Sequence, residues 1–255
     1  MDINNIRKDF PLLSRTMMDH PLIYFDNAAT TLKPQCVIDA VTGYYTQMGA
    51  NAHRGDYELS AMVDDAYEAA RKTVARFLHA PSEKQIVFTS GTSAALNQVA
   101  IGYAQHMLKE GDVILSSVAE HASSILPFLR AAKKCKADVE YIALDEEGRI
   151  TMENVKAALH ERVRMIVLAQ VSNVLGQIAP IKEICELAHR RGIIVVVDGA
   201  QSTPHMPIDV TQLDCDFFAF SAHKLCGPTG VGVLYGKMEL LKQCEPLYLG
   251  GGSNA

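Results

Sequence analysis

From about residue 60 onward, short apolar runs alternate with stretches in which apolar residues recur every three or four positions, so strands are predicted to alternate with amphipathic helices. Over 62–78, Met62, Ala66, Ala69, Ala70, Val74 and Phe77 share one side of a helix, and Asp64, Asp65, Glu68, Arg71 and Lys72 share the other. A strand over 85–89 leads to a helix over 94–109, closed by Gly111. The pattern then predicts strands over 113–116, 139–143 and 165–169, with helices over 123–134, which tolerates Pro127, and over 152–161. A helix over 181–190 ends at Gly192, and the Val-rich run 193–197 leads to Asp198. The run 217–220 ends in Ser221, His223 and Lys224, and a last strand over 231–235 is placed to pair antiparallel with it. This order is that of an α/β fold, a mostly parallel sheet with helices on both faces. There are no repeats and no low-complexity linker.

Composition narrows the picture without changing it. A chain of 255 residues with 48% hydrophobic content can bury a large core, and one big α/β domain fits it better than two small ones. No apolar stretch approaches the length of a bilayer span, and the N-terminus alternates charged with apolar residues and has no signal-peptide core. A cytoplasmic protein is the expectation. A net charge of −5 and the lack of a long Lys/Arg run argue against a nucleic-acid partner. The six cysteines have neither C-x-x-C nor Cys/His zinc spacing, so they read as reduced thiols, and no metal site is expected.

The candidate chemistry collects where strands end. A lysine closing a buried strand is poorly hydrated, so its ammonium form is disfavoured and the amine of Lys224 becomes a candidate nucleophile. Alone it would ordinarily be a snorkelling surface residue, just as Asp198 alone would ordinarily cap a loop. Together, strand-Asp and strand-Ser-x-His-Lys are the two handles of a pyridoxal 5'-phosphate (PLP) enzyme: a lysine for the Schiff base and a carboxylate for the pyridine nitrogen. Ser90-Gly91-Thr92-Ser93 follows a strand and opens a helix, where backbone N–H groups and hydroxyls either cap the helix or cradle a phosphate. Glu120-His121, Asn173 and Gln201 also follow strands, and ligands in open α/β sheets bind at that edge, so one pocket is implied.

Several blocks resemble the class V aminotransferase fold in the expected order. They are Tyr24-Phe25-Asp26-Asn27-Ala28-Ala29-Thr30, Asn51-Ala52-His53-Arg54-Gly55, Thr89-Ser90-Gly91-Thr92-Ser93, Glu120-His121, Val171-Ser172-Asn173-Val174-Leu175-Gly176, Asp198-Gly199-Ala200-Gln201 and Ser221-Ala222-His223-Lys224-Leu225-Cys226-Gly227-Pro228. The set looks most like the group II cysteine desulfurases, which serve SUF iron-sulfur assembly and include selenocysteine lyases.

The resemblance implies a PLP-dependent transferase fold of type I with a seven-stranded-type sheet. It implies an N-terminal segment over 1–20, a PLP-binding large domain over 21–255 and a C-terminal small domain outside this chain. Lys224 and His121 are implied as catalytic, with His121 stacking on the cofactor ring and moving protons. Gly91, Thr92, Ser93, Ser221 and His223 are implied around the phosphate, Asp198 at the pyridinium nitrogen and Gln201 at the phenolic oxygen. Asn173 is implied beside the cofactor and the substrate carboxylate, and His53 in a substrate-side loop.

Two departures stand out. The chain reads Glu120-His121-Ala122-Ser123-Ser124 where the group often has Glu-His-His-Ala-Asn, and Asp56-Tyr57-Glu58 is more acidic than the group's run. The family's persulfide cysteine and carboxylate-gripping arginine are expected beyond Ala255, and Cys226 is assigned to packing. The implied activity is conversion of L-cysteine to L-alanine and a persulfide, with a sulfur-acceptor protein as partner. A homodimer is implied, weakly supported by Gly250-Gly251-Gly252, and no membrane or nucleic acid. Selenocysteine lyase, another class V lyase or aminotransferase, and a non-catalytic PLP-binding fragment stand as alternatives.

Overall fold

Alternate side chains of the central strands enter two separate cores. Leu115, Ile166, Leu168, Val195, Val197, Phe218 and Phe220 pack into one, while Ile114, Met165, Val167, Val196, Phe217 and Ala219 pack into the other. Since successive residues of a strand point to opposite faces, a strand apolar at every position must be covered on both sides. That is why these runs show no polar alternation.

The computed structural model describes residues 2–250; Gly251 and Gly252, and with them the end of the expected large domain, lie outside the described residues. A short hairpin of β1 (Thr16–Met17) and β2 (His20–Pro21) precedes the main sheet. The sheet contains β3 (Ile86–Thr89), β4 (Val113–Ser117), β5 (Asp138–Ile142), β6 (Val163–Ala169), β7 (Ile194–Asp198), β8 (Phe217–Ser221) and β9 (Gly232–Gly236). Its order is β3-β9-β8-β7-β6-β4-β5. Pairing is parallel throughout except along β9, which runs antiparallel to β8, as expected from the sequence, and also to β3, which was not foreseen.

Helices Glu58–Phe77, Thr92–Val99, Ala122–Cys135, Met152–Ala158 and Ile181–His189 join or flank these strands. The helix expected over 94–109 begins earlier, at Thr92, and widens into a looser turn at Ala100–Ala104 before ending at Met107. The helix expected over 152–161 stops at Ala158, because Leu159 turns extended and is buried in the core beside Val155. A helix at Gln35–Gly43 was not foreseen; it carries Val37, Ile38, Ala40 and Val41 but buries none of its residues.

The strand order fixes where a ligand can sit. From β4 the chain moves outward to β5, and from β6 it moves the other way, through β7 to β8. The crevice at such a reversal, above the carboxyl ends of the strands, is the usual ligand position in this architecture.

Candidate active site

A cavity of about 510 Å³ opens at that edge, and nine of the anticipated residues line it: Thr92, Ser93, His121, Asn173, Asp198, Gln201, Ser221, His223 and Lys224. Each comes from the end of a strand or the turn after one, so the sheet itself gathers them.

Asp198 closes β7 and is 4% exposed. Its Oδ1 accepts the Ala200 N–H at 2.9 Å, and its Oδ2 accepts a short hydrogen bond from the Ser124 hydroxyl. Lys224 lies in the turn Ala222–Lys224 just after β8. Burial holds its amine below the ordinary lysine pKa, and the charge of Asp198 offsets this only in part. The pKa of His223 is also lowered, by burial and by the positive charges of Lys224 and Lys33.

Another part of the cavity wall is built to receive an anion. Helix Thr92–Val99 starts there, and its first amides have no carbonyl four residues back to bond. The Ser221 hydroxyl accepts the Thr92 N–H at 2.7 Å and pairs with the Thr92 hydroxyl at 2.7 Å, tying the end of β8 to the helix start. Ser93 Oγ and Ser123 Oγ are 2.7 Å apart. Gly91 is not in the wall; it stands behind the cradle at a φ of 153°, a conformation that favours glycine. A Cβ on Gly232 of β9 would come within 2.4 Å of its Cα, so strand and cradle touch backbone to backbone.

His121 caps helix Ala122–Cys135, its Nδ1 accepting the Ser123 N–H at 3.1 Å. The neutral ring therefore carries its proton on Nε2. Asn173 is exposed at the rim. The structure does not bring His53 to the cavity: it is exposed outside, its Nδ1 3.4 Å from Asp64 and its ring edge-on to Tyr67.

Several wall residues carry no chemistry legible in the sequence. Asp26, Ala28 and Ala29 form one side, and the Gln201 side-chain amide donates to the Ala28 carbonyl at 2.9 Å. This segment then grips the lysine turn. The His223 carbonyl receives the Thr31 N–H at 3.0 Å, the Thr30 and Thr31 hydroxyls at 3.1 and 3.0 Å and the Lys33 ammonium at 2.9 Å. Thr31 Oγ1 also accepts the Cys226 N–H at 2.8 Å. The block at 24–30 signalled the segment through resemblance alone. Ser124, at one of the two departures from the group's pattern, bonds Asp198 across 74 positions of sequence, which no local signal reveals.

Among the described residues no cysteine lines the cavity, and none of the groupings could hold a metal ion. Cys185 and Cys215 are buried, which pushes the Cys185 thiol up to about 12. No helix among the described residues is long and apolar enough to cross a membrane.

The cavity brings together an anion cradle, a partly buried amine and a buried carboxylate, a set of groups that suits a phosphate-bearing aldehyde. Comparison with known proteins agrees. A sequence model of the family described as aminotransferase class-V matches residues 23–255. A curated cysteine desulfurase of Synechococcus elongatus is 46% identical over 98% of this chain, which spans 40% of that protein's length. The crystal structure of the Escherichia coli cysteine desulfurase CsdA superposes with a TM-score of 0.89 at 41% identity, over 98% of this chain and 62% of the other. A structure described as SspA in complex with cysteine gives 0.83 at 30% identity, over 91% of this chain and 66% of the other.

Proposed function

The chain belongs to the class-V aminotransferase family, and on that premise we propose that it carries the PLP site of a cysteine desulfurase. The observation that supports this most is the one cavity that joins Lys224, Asp198 and a helix N-terminus. The names of the relatives favour cysteine desulfurase over the lyase and aminotransferase alternatives, and a related structure has cysteine bound.

When bound, PLP supplies an electron sink for bonds broken at the substrate Cα and Cβ. The chain's own groups do the rest. Lys224 Nζ, whose pKa burial lowers from the ordinary lysine value, is the attachment point. The Asp198 carboxylate holds a proton at the ring nitrogen, and Ser124 and Ala200 keep both its oxygens aimed. Ser93, His223 and the amides opening helix Thr92–Val99 hold the phosphate, and Gly91 lets the backbone turn there. His121, fixed through Nδ1, offers Nε2 for proton transfer. Gln201 and Asn173 complete the polar wall, toward the ring and the substrate respectively. Loss of a sulfur atom from cysteine needs a thiolate acceptor, and no cysteine of the described residues reaches the cavity.

The same reading extends to the sulfur's route, toward an acceptor protein and iron-sulfur clusters, and to a second copy of the chain covering exposed apolar side chains such as Met18, Ile23 and Phe25. Light scattering that finds a monomer with full turnover would remove the second copy from the account.

Borohydride reduction in the presence of PLP, followed by peptide mapping, tests the site. The pyridoxyl group is expected on Lys224; a label on Lys33, Lys237 or Lys242 overturns the assignment. With no thiolate at the cavity, the 255-residue chain is expected to form alanine from L-cysteine at least about a hundredfold more slowly than the Synechococcus protein assayed beside it. Equal rates would mean that one of the six cysteines does reach the site.

A further inference from the structure

The ladder between β4 and β6 ends early. Register runs from Val113↔Val163 to Leu115↔Ile166, although β4 continues to Ser117 and β6 to Ala169. Beyond that point side chains join the strands instead. The Ser116 hydroxyl donates to the Val167 carbonyl at 2.9 Å. Glu120 then bridges the remaining gap: its Oε1 accepts the Ser117 hydroxyl at 2.7 Å and its Oε2 accepts the Ala169 N–H at 2.6 Å.

One end of this bridge, and the residue that follows Glu120, are walls of the cavity. Ala169 lines it and is paired in register with Asp198 of β7, while His121, the residue after Glu120, lines it from the other side. A carboxylate only accepts hydrogen bonds, and here both oxygens meet donors, so its ionised form matches the site. Burial works against that charge, as does the negative charge of Asp198, and the pKa of Glu120 is pushed up to about 7.

We propose that Glu120 is a positioning residue, whose side chain replaces the missing rungs between β4 and β6 and so sets the gap between His121 and Ala169 into which the cofactor ring fits. The inference rests on the PLP reading for what fills the gap, though the bridge itself does not depend on it. Neither Glu120 nor Ser117 touches the cavity, so they act through the residues that do.

Two measurements on the intact protein test this, with Glu120→Ala and Glu120→Gln compared. In ligand-free protein, hydrogen exchange over 165–171 is expected to rise about tenfold or more in Glu120→Ala, the loss of two hydrogen bonds to a charged group. Exchange over 193–198 should stay near wild type. Glutamine can accept from the Ala169 N–H and donate to Ser117, so Glu120→Gln is expected to restore protection to within about twofold. With PLP added, the circular dichroism induced in the bound chromophore should fall by about half or more in Glu120→Ala and return in Glu120→Gln.

Unchanged exchange over 165–171 in Glu120→Ala, or a rise spread equally through β7, overturns the proposal. So does a chromophore signal that ignores Glu120→Ala in a protein that binds PLP. If no form of the protein binds PLP, the exchange measurement still decides the bridge, and only the PLP reading falls. If Glu120→Ala fails to fold, Ser117→Ala, which removes one of the two donors, is expected to shift exchange over 165–171 in the same direction by a smaller factor; no shift there also overturns it.

Discussion

Asp198 and Asp216 are each 4% exposed and stand at opposite ends of the sheet, one closing β7 and the other just before β8. Their surroundings differ completely. Asp216 is enclosed by partners: His189 Nε2 at 2.9 Å and the Lys237 ammonium at 3.0 Å, with the Val195 N–H donating at 2.7 Å. Asp214 completes the network on the same two side chains, at 2.9 Å from His189 and 2.7 Å from Lys237. Burial disfavours the Lys237 ammonium, yet the two carboxylates outweigh it and push the pKa up to about 12. Asp198 has two hydrogen-bond donors but, among the described residues, no cation within ion-pair distance, and Lys224 beside it is shifted downward instead. A buried charge closed off by its own network is a fastening. One left open to a cavity, near an amine whose pKa burial lowers, is available for chemistry.

The contrast can be broken in order of expected effect. Lys224→Ala should abolish pyridoxyl labelling after borohydride, because no other amine lines the cavity among the described residues. The corresponding change of the other lysine, Lys237→Ala, should leave labelling intact.

Asp198→Asn keeps the shape and the Ser124 and Ala200 contacts but removes the charge. Turnover of the catalytically complete enzyme should fall by at least about a hundredfold, with unfolding free energy changed by less than about 1 kcal/mol. Near-normal turnover would reduce Asp198 to a strand-end residue. Asp216→Asn should do the reverse. Breaking its buried ion pair with Lys237 costs about 3 kcal/mol, the lower end of the usual range because the Lys237 side chain is partly exposed, and the folded fraction should bind PLP normally in a titration.

Glu120 sharpens the comparison through pH. Its pKa is raised in the folded state to about 7, so folding binds its proton more tightly than the unfolded chain does. That contribution is fully present below the unfolded value near 4.5 and is lost as pH rises through about 7. Denaturant titrations from pH 5 to pH 8 should show wild type losing up to about 3 kcal/mol relative to Glu120→Gln. A pH-independent difference would show that burial does not penalise the charge. The smallest effect is expected at Cys226, which sits at a φ of 58° outside the cavity wall. Cys226→Ser should leave turnover within about twofold, whereas a loss beyond tenfold would make it the nucleophile.

The strands and the positions of Asp198 and Lys224 at their ends were legible because burial on both faces leaves an uninterrupted apolar run, and a polar residue at or just past the end of such a run is conspicuous. Asp198 and Lys224 were found this way. Helix ends were legible only to within a few residues, since Ala94 carries the periodicity but Gly91 and Thr92 carry the turn. Ser124, Lys33 and the wall at 26–29 were not legible from residue pattern, because each acts through partners far off in sequence. His53 shows the converse: its block resembles a substrate loop, yet the side chain is held outside by Asp64 and Tyr67.

The grip of Thr30, Thr31 and Lys33 on the His223 carbonyl also bears on the order of assembly. Its partners are separated by 190 to 193 positions, so during synthesis the earliest wall of the site waits for that many further residues before the one that fixes it is made. Contacts of such separation are the slowest to form. The lysine turn is thus locked late, after the sheet that bears it, and cofactor uptake measured on ribosome-bound chains should begin only once residues beyond 224 have left the exit tunnel.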